Sequence, residues 1–287
     1  MLNAMLRVEF LREGRSIRLP ILIIFINSIL AFMTILFIFF NNESTQVGYY
    51  AGRSTFLAQF LIISTFQIAI IFLLMPFFVS SIEENEESIS DHLLMIPGIV
   101  KYYVASKVYI SVATSLLVFV SSLPIISLSC IYSGLSLMKM VRLFGTIFLL
   151  SFWSSSIAVF FYSLGGKVFF SFIRTIFAYF MFSFGIILLL EIIRAADLSI
   201  SSSGEISAAV RNLSMALNLL NPLTVYAGYY GNVVGNTGYL SSYFGNYGVD
   251  VTGTTFSFLY YKLAAVFCGM TGVAFLYMSV RFFRREK

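Results

Sequence analysis

Long uncharged apolar runs alternate with short polar connections along the whole chain. A helix crosses the hydrocarbon core of a bilayer with about 20 predominantly apolar residues. Runs of that length start at Pro20, Ser54, Val108, Leu143, Val168 and Thr252. They predict six spanning helices, at 20–40, 54–81, 106–132, 143–166, 168–191 and 254–280. Arg174 stands inside the start of the fifth, where its alkyl stem lets it snorkel back to the surface. Lys262 interrupts the first part of the sixth. The first run is too long for a cleavable signal and follows a charged leader without a small-residue cleavage site, so it is expected to remain as a span.

Three segments lie outside these runs. In the leader, 1–19, Leu2, Met5, Leu6 and Phe10 recur at helical spacing among Arg7, Arg12 and Arg15. This predicts a basic amphipathic elbow helix lying in the membrane interface. In the second segment, 82–98, Glu83, Glu84, Glu86 and Glu87 crowd the beginning, where a helix dipole favours anions. Ile82, Ile89, Leu93 and Ile96 then fall near one face, and Pro97-Gly98 stops the helix. A helix lying on anionic lipid should be basic, and this one is acidic. Its apolar face is therefore expected to dock into a groove on a protein partner. The third segment, 194–251, holds a short amphipathic helix over Ile206 to Leu220 and then Asn221-Pro222. The remainder is rich in Gly, Asn, Tyr and Ser, and is expected to form a loop capping the outer face.

Composition agrees with the pattern and excludes most other classes. Hydrophobic residues make up 59% of the 287 and charged residues 11%. Soluble domains run roughly 45–50% apolar and about 25% charged. Disorder needs the opposite balance. The net charge of +5 is a topology signal and gives no reason to invoke nucleic acid. With both termini cytoplasmic, Lys and Arg favour the inside flanks by about two to one. Lys139 and Arg142 then fall outside, against the rule. Cys130 and Cys268 read as small buried hydrophobes, with no disulfide framework or metal site.

These residues resemble the permease subunits of ABC-2 type ABC transporters. That family has six spans with cytoplasmic termini, an N-terminal amphipathic elbow and a coupling helix between spans two and three. The resemblance covers essentially the whole chain in architecture. Its most specific element is the coupling segment, often written Glu-Arg-Glu-x-Gly-Thr, then apolar residues with Leu-Leu, then Pro. Glu84 and Glu86 match the acids, Leu93 the leucine and Pro97 the proline. Asn85, Ser88 and Ile89 depart from the Arg, Gly and Thr. Lys107 matches a basic residue at the start of span three, Asn221-Pro222-Leu223 resembles the Ser/Asn-Pro before the last span, and RFFRREK the basic end. The resemblance implies a single all-α polytopic membrane domain with the ABC-2, type V exporter-like fold. It also implies a plasma-membrane location and two permease chains, as homo- or heterodimer, paired with two ATPases.

The chemistry fits a transport subunit that is not itself an enzyme. No phosphate-binding loop G-x-x-x-x-G-K-[ST] occurs, so a separate ABC ATPase is expected to bind ATP and Mg, with no cofactor or metal in this chain. Its docking surface would be Glu83, Glu84, Glu86, Glu87, Ile89, His92, Leu93, Leu94, Ile96 and Pro97. His92 is the only histidine, which argues against metal or base chemistry. Gln59 and Gln67 lie about 80° apart on the second helix. With Phe66, and with Phe177 and Phe184 of the fifth, they are candidates for a translocation path. Phe177, Phe180, Met181 and Phe184 also form a stripe suited to lipid or core contact. Ser151, Ser155 and Ala158 give the fourth span a small face for close packing, and Ser154 and Ser156 can bond their own backbone. The spans show no ring of like charges, which favours export of a hydrophobic or amphiphilic substrate: peptide, drug, lipid or glycolipid. A stand-alone channel or carrier and a membrane scaffold are the alternatives.

Overall fold

The computed structural model describes residues 17–41, 48–83, 99–164, 168–200, 206–234 and 254–283, with Arg7 and Leu11 of the leader. Nearly all of these are helical. Helices α1 (Arg18–Asn41), α2 (Gly48–Glu83), α3 (Ile99–Tyr132) and α4 (Leu137–Ser163) follow one another. Next come α5 (Val168–Phe180), a π-helical turn at Met181–Gly185 and α6 (Ile186–Ile200), which run on as one rod. The shorter α7 (Ala208–Leu219) and α8 (Pro222–Val234) precede α9 (Thr254–Phe283). Six of these stretches are long and apolar enough to cross a membrane: Leu19–Leu36, Phe56–Pro76, Ile99–Tyr132, Leu137–Ser163, Phe169–Ser199 and Leu259–Phe283. The architecture is that of a multi-pass helical membrane protein.

Some helices outrun the apolar pattern. The third begins at Ile99, seven residues before the expected 106, and the fifth continues to Ile200, past 191. Helix α2 has 36 residues. At 1.5 Å per residue it is about 54 Å long, well beyond a ~30 Å core. One expectation needs correction. The sequence after Asn221, read as loop from its Gly and Tyr content, opens with helix α8. Glycine costs roughly 1 kcal/mol in a helix interior, but burial overrides that here. Val225 and Tyr229 are fully buried against the bundle, and Pro222 stands at the first helical position, where its missing N–H costs nothing. The 84–98 segment, most of the leader and residues 235–253 lie outside the described residues.

Helix α4 is the hub. It packs against α2, α3, α5, α8 and α9. Of an 18-residue stretch at its core 67% is buried, against 11% for that of α1. Small side chains explain the position. Helices in lipid associate where small residues let backbones approach closely. Ser151, Ser154, Ser155, Ser156 and Ala158 are all buried at this contact. Three of these hydroxyls bond their own helix. Ser154 and Ser155 donate to the Ser151 carbonyl at 3.1 and 2.7 Å, and Ser156 to that of Phe152 at 2.7 Å. Trp153, fully buried among them, donates its indole N–H to Thr271 Oγ1 of α9 at 3.1 Å. Its ring meets Phe72 of α2, Tyr179 of α5 and Phe182 of the π turn at 5.8–5.9 Å between centroids. One side chain thus ties four segments to the hub.

At one end of the bundle, α8 lies close against α9. A Cβ built on Gly228 would meet Tyr261 Cδ2 at 2.6 Å, Cβ at 2.8 Å and Cγ at 2.9 Å. Only glycine fits there without a backbone shift. Gly228→Ala is expected to destabilise the bundle by about 1–3 kcal/mol, the usual cost of overpacking. Because the Tyr261 Cβ itself is in the way, Tyr261→Ala should not rescue it. Unfolding of the detergent-solubilised single and double variants checks both statements.

Candidate functional site

The polar interior is built from amides facing serines. On α3, Ser121 and Ser122 are neighbours in the middle of an apolar run. Each back-bonds one turn up its own helix: Ser121 Oγ to the Val118 carbonyl and Ser122 Oγ to that of Phe119, both at 2.7 Å. The hydroxyl protons are therefore committed, and each oxygen is left to accept. Two amides use them. Asn27 of α1 donates from Nδ2 to Ser121 Oγ at 3.0 Å, and Gln67 of α2 donates from Nε2 to Ser122 Oγ. This fixes which way each amide points. The opposite atoms, Asn27 Oδ1 and Gln67 Oε1, are buried with no hydrogen-bond partner. Gln59, further along α2, has neither amide atom paired. A buried polar group left unpaired costs about 1–3 kcal/mol, so these positions mark where the bundle trades stability for polarity.

The serine seam continues along α3 and α4. Ser115 Oγ lies 2.9 Å from Ser151 Oγ. Ser155 Oγ approaches the sulfur of Met75 at 3.1 Å.

A second polar contact joins the α7–α8 hairpin to the fifth span. Its tip, Asn221, is buried. Asn221 Nδ2 donates to the Ser183 carbonyl inside the π turn at 2.9 Å, and its Oδ1 accepts from Leu223 N at 2.9 Å, capping α8. A π turn displaces carbonyls from the α-helical ladder, and such turns often sit at functional positions. Ser183 lies near the middle of the Phe169–Ser199 span, so the hairpin reaches deep between the helices. Tyrosines hold its sides. Tyr226 OH pairs with Thr65 Oγ1 of α2, and Tyr229 OH donates to the Lys139 carbonyl at 3.3 Å. Tyr260 OH of α9 donates to the Met215 carbonyl of α7 at 2.7 Å.

The residues expected to line a path separate into two groups. Gln59 and Gln67 are buried within the bundle and Phe66 is half-buried. Phe177 and Phe184 are on the outer surface, 58% and 53% exposed, in a stripe with Phe180 and Met181. The stripe faces away from the glutamines' interior. Ser154 and Ser156 bond their own helix, as expected. Of the docking residues, Glu83 closes α2, while Glu84, Glu86, Glu87, Ile89, His92, Leu93, Leu94, Ile96 and Pro97 lie outside the described residues. Sequence reasoning passed over Asn27, Ser121, Ser122, Ser183 and Asn221 as members of a polar system. The available signal was a lone amide and a Ser-Ser pair inside uncharged runs.

Asn221→Ala leaves the Ser183 carbonyl and the Leu223 N–H without this partner, at about 1–3 kcal/mol for each orphaned group. Asn221→Ser keeps an acceptor for Leu223 and should recover part of the loss. Thermal unfolding of the purified variants checks the order, Asn above Ser above Ala. In comparisons with known proteins, no family model, no curated protein and no solved structure matches the chain.

Proposed function

We propose that this chain is the permease subunit of an ABC-2 type transporter, exporting a hydrophobic or amphiphilic substrate with ATP hydrolysed by a separate subunit. The observation that carries the reading is how α2 and α3 meet at the end where the 84–98 segment joins them. Val79 of α2 packs with Val100, Val104, Val108 and Val112 of α3. The same cluster takes in Ala158, Val159 and Tyr162 of α4, with Leu276, Val280 and Phe283 of α9 packed on it. Tyr103 and Phe283 meet edge to face at 5.9 Å. A load applied to the segment between the two helices therefore bears directly on the hub helix and on α9.

This is the layout a coupling segment needs. The segment itself carries an acidic start and an apolar face, suited to a groove on a soluble partner. The sequence holds no phosphate-binding loop, so in this reading ATP and Mg belong to that partner. In the cycle we propose, closure of the ATPases favours one packing of α2 and α3 over another. The partner shifts the equilibrium only through its different contacts with the two states. Two permease chains, each with its cytoplasmic docking segment, would meet two ATPases. The neutral amides and serines of the interior suit an uncharged or amphiphilic substrate better than an ion.

Leu93→Asp combined with Ile96→Asp places two charges on the docking face. ATPase co-purification from native membranes should be lost, while the variant still inserts at its normal level. Retention of the ATPase by the double variant overturns the docking assignment. Ion flux from the isolated chain in liposomes would favour a stand-alone channel instead.

A further inference from the structure

A shallow slot with room for about one water molecule lies between α1, α2 and α3, partly open to the outside of the bundle. Its apolar lining residues are Ile26, Ile70, Ile71, Val118 and Phe119, and its polar ones are Gln67 and Ser115. Gln67 is 4% exposed, and its Oε1 has no partner. The hydrogen-bond ledger of these two residues fixes the chemistry of a guest. Ser122 Oγ gives its proton to the Phe119 carbonyl and accepts from Gln67 Nε2, which leaves Gln67 Oε1 without a partner in the protein. Ser115 Oγ likewise spends its proton on Val112 O at 2.8 Å or Ser151 Oγ at 2.9 Å. The hydrogen-bonding capacity these two side chains have left is thus to accept, within an apolar lining. Gln67 lies near the middle of the Phe56–Pro76 span, where a lipid headgroup does not reach.

We propose that this slot is a lateral binding site for an otherwise apolar molecule that presents one hydroxyl or amide N–H to Gln67 Oε1. At rest it admits about one water molecule. A larger guest enters by displacing α1, whose span is the least buried of the six at 11%. The polar clasp between α1 and α3 is the Asn27–Ser121 hydrogen bond, beside the slot wall at Ile26. The site requires only the bundle and no ATPase. It goes beyond the permease reading, and either can fail without the other.

The test uses the full chain in phosphatidylcholine nanodiscs and a diazirine-bearing long-chain alcohol, with its methyl ether as the donor-free control. Photolabelling mapped by mass spectrometry should place the alcohol on Ile26, Ile70 or Val118, about fivefold above the ether, the ratio one net hydrogen bond supplies. Gln67→Leu should bring the alcohol down to the ether's level. Asn27→Cys with Ser121→Cys, oxidised to a disulfide, should abolish slot labelling by both probes, and reduction should restore it. That variant keeps Gln67, so it tests entry even where Gln67→Leu fails to insert. Equal labelling by alcohol and ether overturns the proposal. So does an alcohol preference that survives Gln67→Leu, labelling indifferent to the cross-link, or label confined to outward side chains such as Phe177 and Phe184, which means bulk lipid contact only.

Discussion

Inside hydrocarbon no water completes a hydrogen bond, so every polar side chain must bond its own helix, reach a neighbour or remain unpaired at a cost. Ser115, Ser121 and Ser122 of α3 and Ser154, Ser155 and Ser156 of α4 take the first route, donating to a carbonyl three or four residues back. That choice leaves their oxygens as acceptors and forces any amide packed against them to present its nitrogen. Asn27 and Gln67 do so from two different helices, and their oxygens are left over. The orientation of the polar interior therefore follows from how a serine behaves in a helix.

The same serines set the packing. A hub helix in lipid gains little from hydrophobicity, because the tails outside are as apolar as the helices. What it can offer is close approach, and the run Ser154-Ser155-Ser156 offers it on several faces at once. Trp153 then works as the opposite device, a large ring filling the space where α2, α5 and the π turn converge. Small residues bring the helices in, and one large residue fixes their spacing. Gly228 and Gly272 repeat the logic at the contacts α9 makes, where an added Cβ would strike Tyr261 and Phe152.

The spans were legible because their signal is composition over about 20 residues, which survives local noise. Their ends were less so. Helix α3 begins at Ile99, although Lys101 and Lys107 interrupt the apolar run, because Tyr103 and the following valines bury that turn. Helix α8 was hidden for a different reason. Its Gly and Tyr read as loop by propensity, and only contact with α9 and α2 turns Gly228 into a packing residue and Tyr226 into a clasp. The glutamines were visible as polar residues in a span, but their pairing with Ser122 depends on register between two helices. A single chain pattern does not carry that register. Phe177 and Phe184 show the same limit. Their spacing defines a stripe, and only the fold decides that it faces outward.

These differences in hold decide where motion can occur. Helix α4, with 67% of its 18-residue core buried, packs against five neighbours, whereas α1, with 11%, meets chiefly α3. The valine cluster ties α2 and α3 to α4 and α9 at the end where the 84–98 segment joins them. Gln67–Ser122 ties α2 to α3 again farther along. The helices α2 and α3 are thus held to each other in two places. The least buried of the spans beside them is α1. The amide oxygens left unpaired by the serines lie on that boundary, so the soft edge of the bundle is also its polar one.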